Sequence, residues 1–198
     1  MIAVVDYGLG NLFSLGNALK FIGAGFKFIK APEEAEAYIL PGVGAFPEGM
    51  RRLQEGGFVR FLKENTKPLL GICLGMQLLF DSSEEFTHTE GLGLIPGKVT
   101  KLGCGEDLKI PHMGWNELTI KKPSPLTEGI SGGSVYFVHS YRALPRPENL
   151  LATAFYGEEI AAIAGKGNVF GVQFHPEKSG DRGLKILKNY VNLAEKKE

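Results

Sequence analysis

Cys73 stands in the run Gly71-Ile72-Cys73-Leu74-Gly75, after the apolar stretch Pro68-Leu69-Leu70 and before the helix-like Met76-Gln77-Leu78-Leu79-Phe80. A nucleophile between small residues at a strand-to-helix turn is the layout of a nucleophile elbow. Glycines let the chain turn sharply there and lift the side chain toward a cleft. The unpaired N–H groups and positive end of a helix opening at Leu74 would favour a thiolate at Cys73 and can also hold a developing oxyanion. The competing reading is a buried cysteine in a strand-helix corner, the commoner case for a lone cysteine.

A cysteine nucleophile needs a base that is near in space, though not in sequence. Four histidines are available. His88 lies in the polar stretch Glu84 to Glu90 and reads as solvated, and His112 follows Pro111 in a loop. His139 and His175 each follow an apolar strand. Of these two, His139 has only Ser140 and Tyr141 beside it, whereas His175 has the extra feature of Glu177 two residues on, with Pro176 fixing the turn between them. Such a carboxylate can hold the imidazole tautomer and stabilise its cation. Spacing therefore favours Cys73, His175 and Glu177 as a unit, against a reading of His175 as a satisfied histidine at a strand end.

Two glycine-rich loops precede the elbow. Asp6-Tyr7-Gly8-Leu9-Gly10-Asn11 has the G-x-G of a phosphate-cradling turn, but a tight strand-to-helix turn uses the same residues. Pro41-Gly42-Val43-Gly44 can bring backbone N–H groups close to a ligand, or let a peptide flip; an ordinary turn is the alternative.

The elements that must carry these residues are legible in outline. Ile2 to Val5, Phe26 to Ile29 and Ala37 to Leu40 are strands, and Leu12, Leu15, Leu19 and Ile22 recur at helical spacing before a stop at Gly23. Pro32-Glu33-Glu34 suits a helix start. Leu53, Phe58, Phe61 and Leu62 are core positions of a helix interrupted at Gly56-Gly57. Strand and helix thus alternate through the first eighty or so residues, the pattern of a doubly wound α/β sheet, mostly parallel and flanked by helices. In such sheets the ligand crevice lies beyond the carboxyl ends of the strands. Short strands follow at Lys98 to Leu102, Glu117 to Ile120, Ser134 to Val138, Leu151 to Phe155 and Ala161 to Ala164, predicting antiparallel hairpins added to a mixed sheet. A strand over Val169 to Phe174 delivers His175, and Leu184, Leu187, Tyr190 and Val191 form a closing amphipathic helix.

With 198 residues the chain reads as one domain, residues 1–198. Twenty-two basic residues balance 22 acidic ones, which argues against a general nucleic-acid binder. Cys73 and Cys104 occupy the elbow and a glycine-rich loop, so a disulfide framework is not expected and a reducing compartment is. No basic leader precedes the first strand and no apolar run reaches membrane-spanning length, which reads as cytoplasmic.

Taken together, the elbow Gly-Ile-Cys-Leu-Gly-Met-Gln, the upstream Pro-Gly-Val-Gly loop and the downstream His-Pro-Glu resemble the class I glutamine amidotransferases, whose three motifs they match in order. Within that family the chain is similar to the glutaminase subunits that serve imidazole glycerol phosphate synthases in histidine biosynthesis. The residues that carry this are Asp6 to Asn11, Pro111-His112-Met113-Gly114-Trp115-Asn116, Tyr136 to Tyr141 and His175-Pro176-Glu177-Lys178-Ser179. The resemblance implies that Cys73 attacks the side-chain carbonyl of glutamine, that His175 serves as acid and base, and that Glu177 orients it. It implies an oxyanion hole from Leu74 and the Gly42–Val43–Gly44 segment. Substrate contacts are implied at Gly44, Gln77, Val138, His139, Ser140 and Tyr141. Asn11, Trp115, Asn116 and Lys178 are implied at the interface with a separate (β/α)8-barrel cyclase subunit, giving a heterodimer that channels ammonia to it. No cofactor and no metal are expected.

The paired glycines and the waste of uncoupled hydrolysis further predict that Gly42–Val43–Gly44 is mispositioned in the isolated chain and becomes competent on assembly. A glutaminase feeding another synthase, a free-standing cysteine hydrolase and a non-catalytic binding subunit are the rival readings. No role attaches to Cys104.

Overall fold

The computed structural model describes residues 1–103 and 108–195; Cys104 and its loop lie outside the described residues. Strands β1 (Ile2–Val5), β2 (Phe26–Ile29), β3 (Ala37–Leu40) and β4 (Leu69–Ile72) build the first half, with helices α1 (Leu12–Phe21), α2 (Phe46–Glu55), α3 (Phe58–Glu64) and α4 (Leu74–Leu78). The second half adds β5 (Ser82–Ser83), β6 (Thr89–Glu90), β7 (Gly97–Lys101), β8 (His112–Glu117), β9 (Thr119–Ile120), β10 (Ser134–His139) and β11 (Tyr141–Pro145). It closes with β12 (Leu150–Phe155), β13 (Glu159–Lys166), β14 (Val169–Val172) and α5 (Gly180–Glu195).

The main sheet has eight strands in the order β2-β1-β3-β4-β14-β13-β12-β9. Strands β2, β1, β3, β4 and β14 run parallel, whereas β13, β12 and β9 continue the sheet antiparallel. Every residue of β1, β3, β4 and β14 is buried, as parallel strands covered on both faces require. Their side chains divide by the two-residue period of a strand. Ile2 and Val4 of β1 pack with Leu15 and Leu19 of α1 and Ile186 and Tyr190 of α5 on one face. Ala3 and Val5 pack on the other face with Phe46 and Leu53 of α2 and Phe58 and Leu62 of α3. Each such Leu, Ile or Phe contributes about 1.5–3 kcal/mol by leaving water, so the sheet is clamped from both sides. The mixed, mostly parallel sheet flanked by helices is the architecture expected.

Three local expectations are corrected. No helix follows Pro32; the stretch to β3 is irregular, and the Tyr38 hydroxyl closes it by accepting from the Ala35 N–H and donating to the Glu33 carbonyl. With only a few residues between β2 and β3, a helix has no length in which to repay its nucleation. Strict strand–helix alternation therefore fails at that point. His112 is not in a loop: it begins β8, which pairs antiparallel with β10 from Ser134↔Glu117 to His139↔His112. This two-stranded ribbon, and a four-stranded sheet in the order β11-β7-β5-β6, stand apart from the main sheet.

The carboxyl ends of β1, β3, β4 and β14 lead directly into Asp6, Pro41, Cys73 and Gln173. All the catalytic candidates are thus gathered at one edge of the sheet. No helix among the described residues is long and apolar enough to cross a membrane.

Candidate active site

Cys73 joins β4 to α4 with φ +54° and ψ −109°, a region that a non-glycine residue occupies only under constraint. The flanking glycines make that turn sterically feasible. A Cβ on Gly75 would lie 1.8 Å from the Leu40 carbonyl oxygen, and one on Gly71 would lie 2.6 Å from the Gly75 carbonyl oxygen. The glycines therefore let β3, β4 and α4 converge beneath the nucleophile. Cys73 is largely buried, with Sγ 3.8 Å from the Val138 carbonyl oxygen. The Gln173 side-chain Nε2 donates toward the same sulfur, also at 3.8 Å.

His175 follows β14 and is fixed at three points. Its N–H donates to the Tyr136 carbonyl at 2.9 Å, its carbonyl accepts from the Ser179 hydroxyl at 2.6 Å, and its Nδ1 lies 2.8 Å from Glu177 Oε1. Both side chains of the pair are almost wholly buried. Burial works against the imidazolium, but the Cys73 sulfur and the Glu177 carboxylate together outweigh it and push His175 up to about 10. The imidazole is therefore cationic at neutral pH. Its Nε2, the atom remote from Glu177, makes no hydrogen bond of regular geometry among the described residues, nor does Glu177 Oε2. Cys73 and Glu177 both raise the imidazole through hydrogen bonding and charge, and the contact with Cys73 is not one of regular hydrogen-bond geometry.

The Leu74 N–H, a candidate oxyanion donor, is not free. The Leu74 N–H donates to the Gly42 carbonyl oxygen at 3.2 Å. A tetrahedral oxyanion and a peptide carbonyl cannot share that donor, so this carbonyl stands where the oxyanion would bind. Beside it the Tyr7 hydroxyl is buried without a hydrogen-bond partner among the described residues. Burial, and secondarily charge on Cys73, push its phenol well above the usual range.

A cavity of about 350 Å³ opens onto Cys73 and His175, lined also by Val43, Gly44, Leu74, Gln77, Glu85, Pro111 and the Val138–Tyr141 segment. Val138, His139, Ser140 and Tyr141 thus lie together around it. Gln77 spends its amide hydrogens on the Tyr141 carbonyl at 2.9 Å and on Gln173 Oε1 at 3.0 Å, so what it can offer a ligand is its carbonyl oxygen. Glu85 lies within the polar stretch Glu84 to Glu90, in which sequence reading singled out only His88. It is buried, its Oε2 accepts from the Phe46 N–H at 2.8 Å, and burial raises its carboxyl despite that bond. A buried carboxylate facing this cavity is suited to an ammonium group. A larger cavity of about 940 Å³ opens at the opposite edge, by Pro68 and Asn168, and its lining holds no cysteine or histidine.

His139 Nδ1 contacts the Tyr141 carbonyl at 2.8 Å and must donate to it, so His139 Nε2 accepts from His112 Nδ1 at 3.0 Å. His112 Nε2 in turn faces Asn116 Oδ1 at 2.6 Å. Burial lowers both imidazoles, His139 to about 4. The site thus holds neutral His139 close to cationic His175, and only the latter is poised for acid chemistry. His88 is exposed and raised by Glu84 and Glu90.

The remaining candidates occupy the rim. Asn11 caps α1, accepting from the Ser14 N–H at 3.1 Å, and shares a small cavity with His175 and Glu177. Trp115 and Met113 project from β8, 56% and 62% exposed, so the tryptophan is no core residue. The Trp115 ring meets Tyr136 at 5.9 Å, and the Lys178 ammonium lies over the same Tyr136 ring. Asn116 is committed inward, to His112 and to the Phe155 carbonyl. No group of three or more His, Cys, Asp or Glu among the described residues is arranged to hold a metal ion.

The family described as Glutamine amidotransferase class-I matches residues 3–193. The chain is 49% identical over 208 residues to the "Imidazole glycerol phosphate synthase subunit HisH" of Geobacillus sp. (strain WCH70), covering 100% of this chain and 99% of the relative. A protein of the same name from Bacillus cereus (strain G9842) is 51% identical, covering 98% and 96%. Among solved structures, a glutamine amidotransferase superposes with TM-score 0.73 at 21% identity, covering 98% of both chains. PurLQS from Thermotoga maritima gives TM-score 0.72 at 21% identity, covering 96% of this chain and 97% of that one.

Proposed function

The chain belongs to the class-I glutamine amidotransferase family, and from this we propose that it is the glutaminase subunit of an imidazole glycerol phosphate synthase. In this reading residues 1–198 serve as one glutaminase domain acting in the cytoplasm. The observation that carries the chemistry is Cys73 at a strained elbow beside a buried His175–Glu177 pair 2.8 Å apart, with Cys73 and His175 opening on one cavity of about 350 Å³.

Glutamine enters with its side-chain amide toward Cys73. Glu85 and the Gln77 carbonyl oxygen receive the α-ammonium, and the Val138–Tyr141 segment borders the amino-acid end. The Cys73 thiolate adds to the amide carbonyl, and the oxyanion is held by the Leu74 N–H and an N–H of the Gly42–Val43–Gly44 segment once the Gly42 carbonyl has turned away. His175 Nε2 delivers its proton to the departing nitrogen, releasing ammonia and leaving a glutamyl thioester. His175, now neutral, takes a proton from water, whose hydroxide cleaves the thioester; the thiolate and imidazolium are regenerated, and the glutamic acid formed gives up its proton, which balances as ammonium. Glu177 holds the imidazole through Nδ1 and stabilises its cation in both half-reactions. The reaction consumes glutamine and water alone.

Ammonia is then passed to a (β/α)8-barrel cyclase subunit in a heterodimer. The products there are imidazole glycerol phosphate and an aminoimidazole carboxamide ribotide, in histidine biosynthesis. The exposed Trp115, with Lys178 and Asn11 on the same rim as the triad, forms the docking face. The test is glutamate release from glutamine by the chain alone, then with a cyclase subunit and its nucleotide ligand, with Cys73→Ala as control. Stimulation by the loaded partner that disappears in the variant is expected. Cys73-dependent activity indifferent to the partner would remove the synthase assignment and leave the glutaminase.

A further inference from the structure

The Tyr7 hydroxyl has no assigned task, and its surroundings make it costly to keep. It ends the loop side of β1, is buried, and has no hydrogen-bond partner among the described residues. A buried hydroxyl without a partner is normally selected against, because it gives up its hydrogen bonds with water and recovers nothing. Phenylalanine would fill the same space without that loss.

Its position supplies the reason for a hydroxyl. A Cβ built on Gly42 would lie 2.4 Å from the Tyr7 oxygen and 2.9 Å from both the Gly75 nitrogen and the Leu74 Cβ. The phenol therefore abuts the α-carbon of Gly42, the residue whose carbonyl occupies the Leu74 N–H. That carbonyl must leave this donor before an oxyanion can use it. A peptide carbonyl released into a buried corner needs a new donor, since an unpaired one there is unfavourable. An unpartnered O–H, free to rotate about its C–O bond, sits next to the pivot of that movement.

We propose that Tyr7 is a positioning residue of the oxyanion segment: its hydroxyl receives the Gly42 carbonyl when that carbonyl releases the Leu74 N–H, and so holds the Gly42–Val43 peptide in its reactive orientation. Tyr7 touches neither substrate nor nucleophile in this role; it acts through Gly42. The absence of a Cβ on Gly42 is part of the same device, since any side chain there would displace the phenol. This inference rests on the glutaminase reading above.

The experiment compares wild type with Tyr7→Phe in the assembled complex with the cyclase subunit and its nucleotide ligand. It measures kcat and KM for glutamine, the thermal midpoint, and the rate of Cys73 alkylation by iodoacetamide in the isolated chain. The expected result is a fall in kcat of about tenfold, the worth of one buried hydrogen bond. KM stays within about twofold, alkylation is unchanged, and the thermal midpoint is equal or higher because an unpaired polar group has been removed. An unchanged kcat beside an active wild type would overturn the proposal alone. A kcat loss accompanied by a lowered midpoint and a raised KM would also overturn it, making the hydroxyl structural. A wild type that releases no glutamate under any condition would overturn the glutaminase reading and this inference together; in that case Cys73→Ala would be indistinguishable from wild type.

Discussion

The Leu74 N–H donates to the Gly42 carbonyl oxygen, 3.2 Å away, in the chain by itself. Cys73, His175 and Glu177 otherwise stand together, so in the proposed reaction the Gly42–Val43–Gly44 segment is the part that is not ready. Losing one oxyanion donor costs about a hundredfold or more in rate. The isolated chain should therefore hydrolyse glutamine at least about a hundredfold more slowly than the ligand-loaded complex, with the difference in kcat rather than KM. Steady-state glutamate release in both states measures it. Equal kcat values would mean that this hydrogen bond does not limit turnover.

Glu85 should set the affinity for glutamine without taking part in bond making. It lines the cavity with Gln77 and Tyr141 and is held by the Phe46 N–H. Glu85→Gln keeps the size and the ability to accept that bond but removes the charge. A charge-assisted hydrogen bond is worth about 1.5–3 kcal/mol, so KM for glutamine should rise about tenfold or more, with kcat at saturation within a few-fold. A KM equal to that of wild type would place the α-ammonium elsewhere.

Glu177 should control the alkaline side of both activity and stability. His175 is raised from 6.5 to about 10 because charge and hydrogen bonding from Cys73 and Glu177 outweigh burial. A folded-state value above the unfolded one stabilises fully below pH 6.5, and that contribution is lost as pH rises from 6.5 through about 10. Glu177→Gln removes one of the raising partners. Thermal midpoints measured from pH 6 to 10.5 should therefore fall less steeply in the variant than in wild type. The alkaline limb of kcat should move to lower pH, and kcat at neutral pH should drop about a hundredfold or more. Parallel stability curves would show that Glu177 does not support the cation.

The elbow was legible in the sequence because its constraint is local. Gly71 and Gly75 flank Cys73 within one turn, and the clashes they avoid are with the strand and helix they join. The His175–Glu177 pair was legible for the same reason, spanning a single proline. Glu85 was not: it enters the site because a loop folds back to place it against the Phe46 N–H, a contact across 39 residues. Sequence periodicity carries no trace of that, and nothing in the acidic run Glu84-Glu85 distinguishes Glu85 from its neighbour. His112 was misplaced because β8 is defined by its pairing with β10, and its large hydrophobic residues, Met113 and Trp115, lie on the exposed side of the strand, so hydropathy marks no inward face. Tyr7 was visible only as part of a glycine loop; its significance lies in the unpaired hydroxyl, which only the packed structure discloses.

The two glycines at positions 25 and 75 should respond oppositely to alanine, and the contrast tests the packing beneath the nucleophile. At Gly75 the added methyl would meet the Leu40 carbonyl oxygen at 1.8 Å, with the Leu40 and Pro41 carbonyl carbons close behind. These are main-chain atoms of β3 and of the oxyanion loop, so no rotamer change relieves the clash. Either α4, which opens at Leu74, or β3, which leads into Gly42–Val43–Gly44, must shift, and these are the segments proposed to hold the oxyanion. At Gly25 nothing lies within 4 Å of the added methyl, and φ is not in the left-handed region. Its carbonyl still accepts from the Ile2 N–H, which alanine preserves. Gly25→Ala should therefore leave activity intact and stabilise by up to about 1 kcal/mol, by restricting the unfolded chain. Gly75→Ala should destabilise by about 3 kcal/mol or more, with loss of glutaminase activity in whatever protein folds. Chemical denaturation midpoints of the two variants decide it. A Gly75→Ala protein of near wild-type stability would mean that β3 and α4 are not packed main chain against main chain under Cys73.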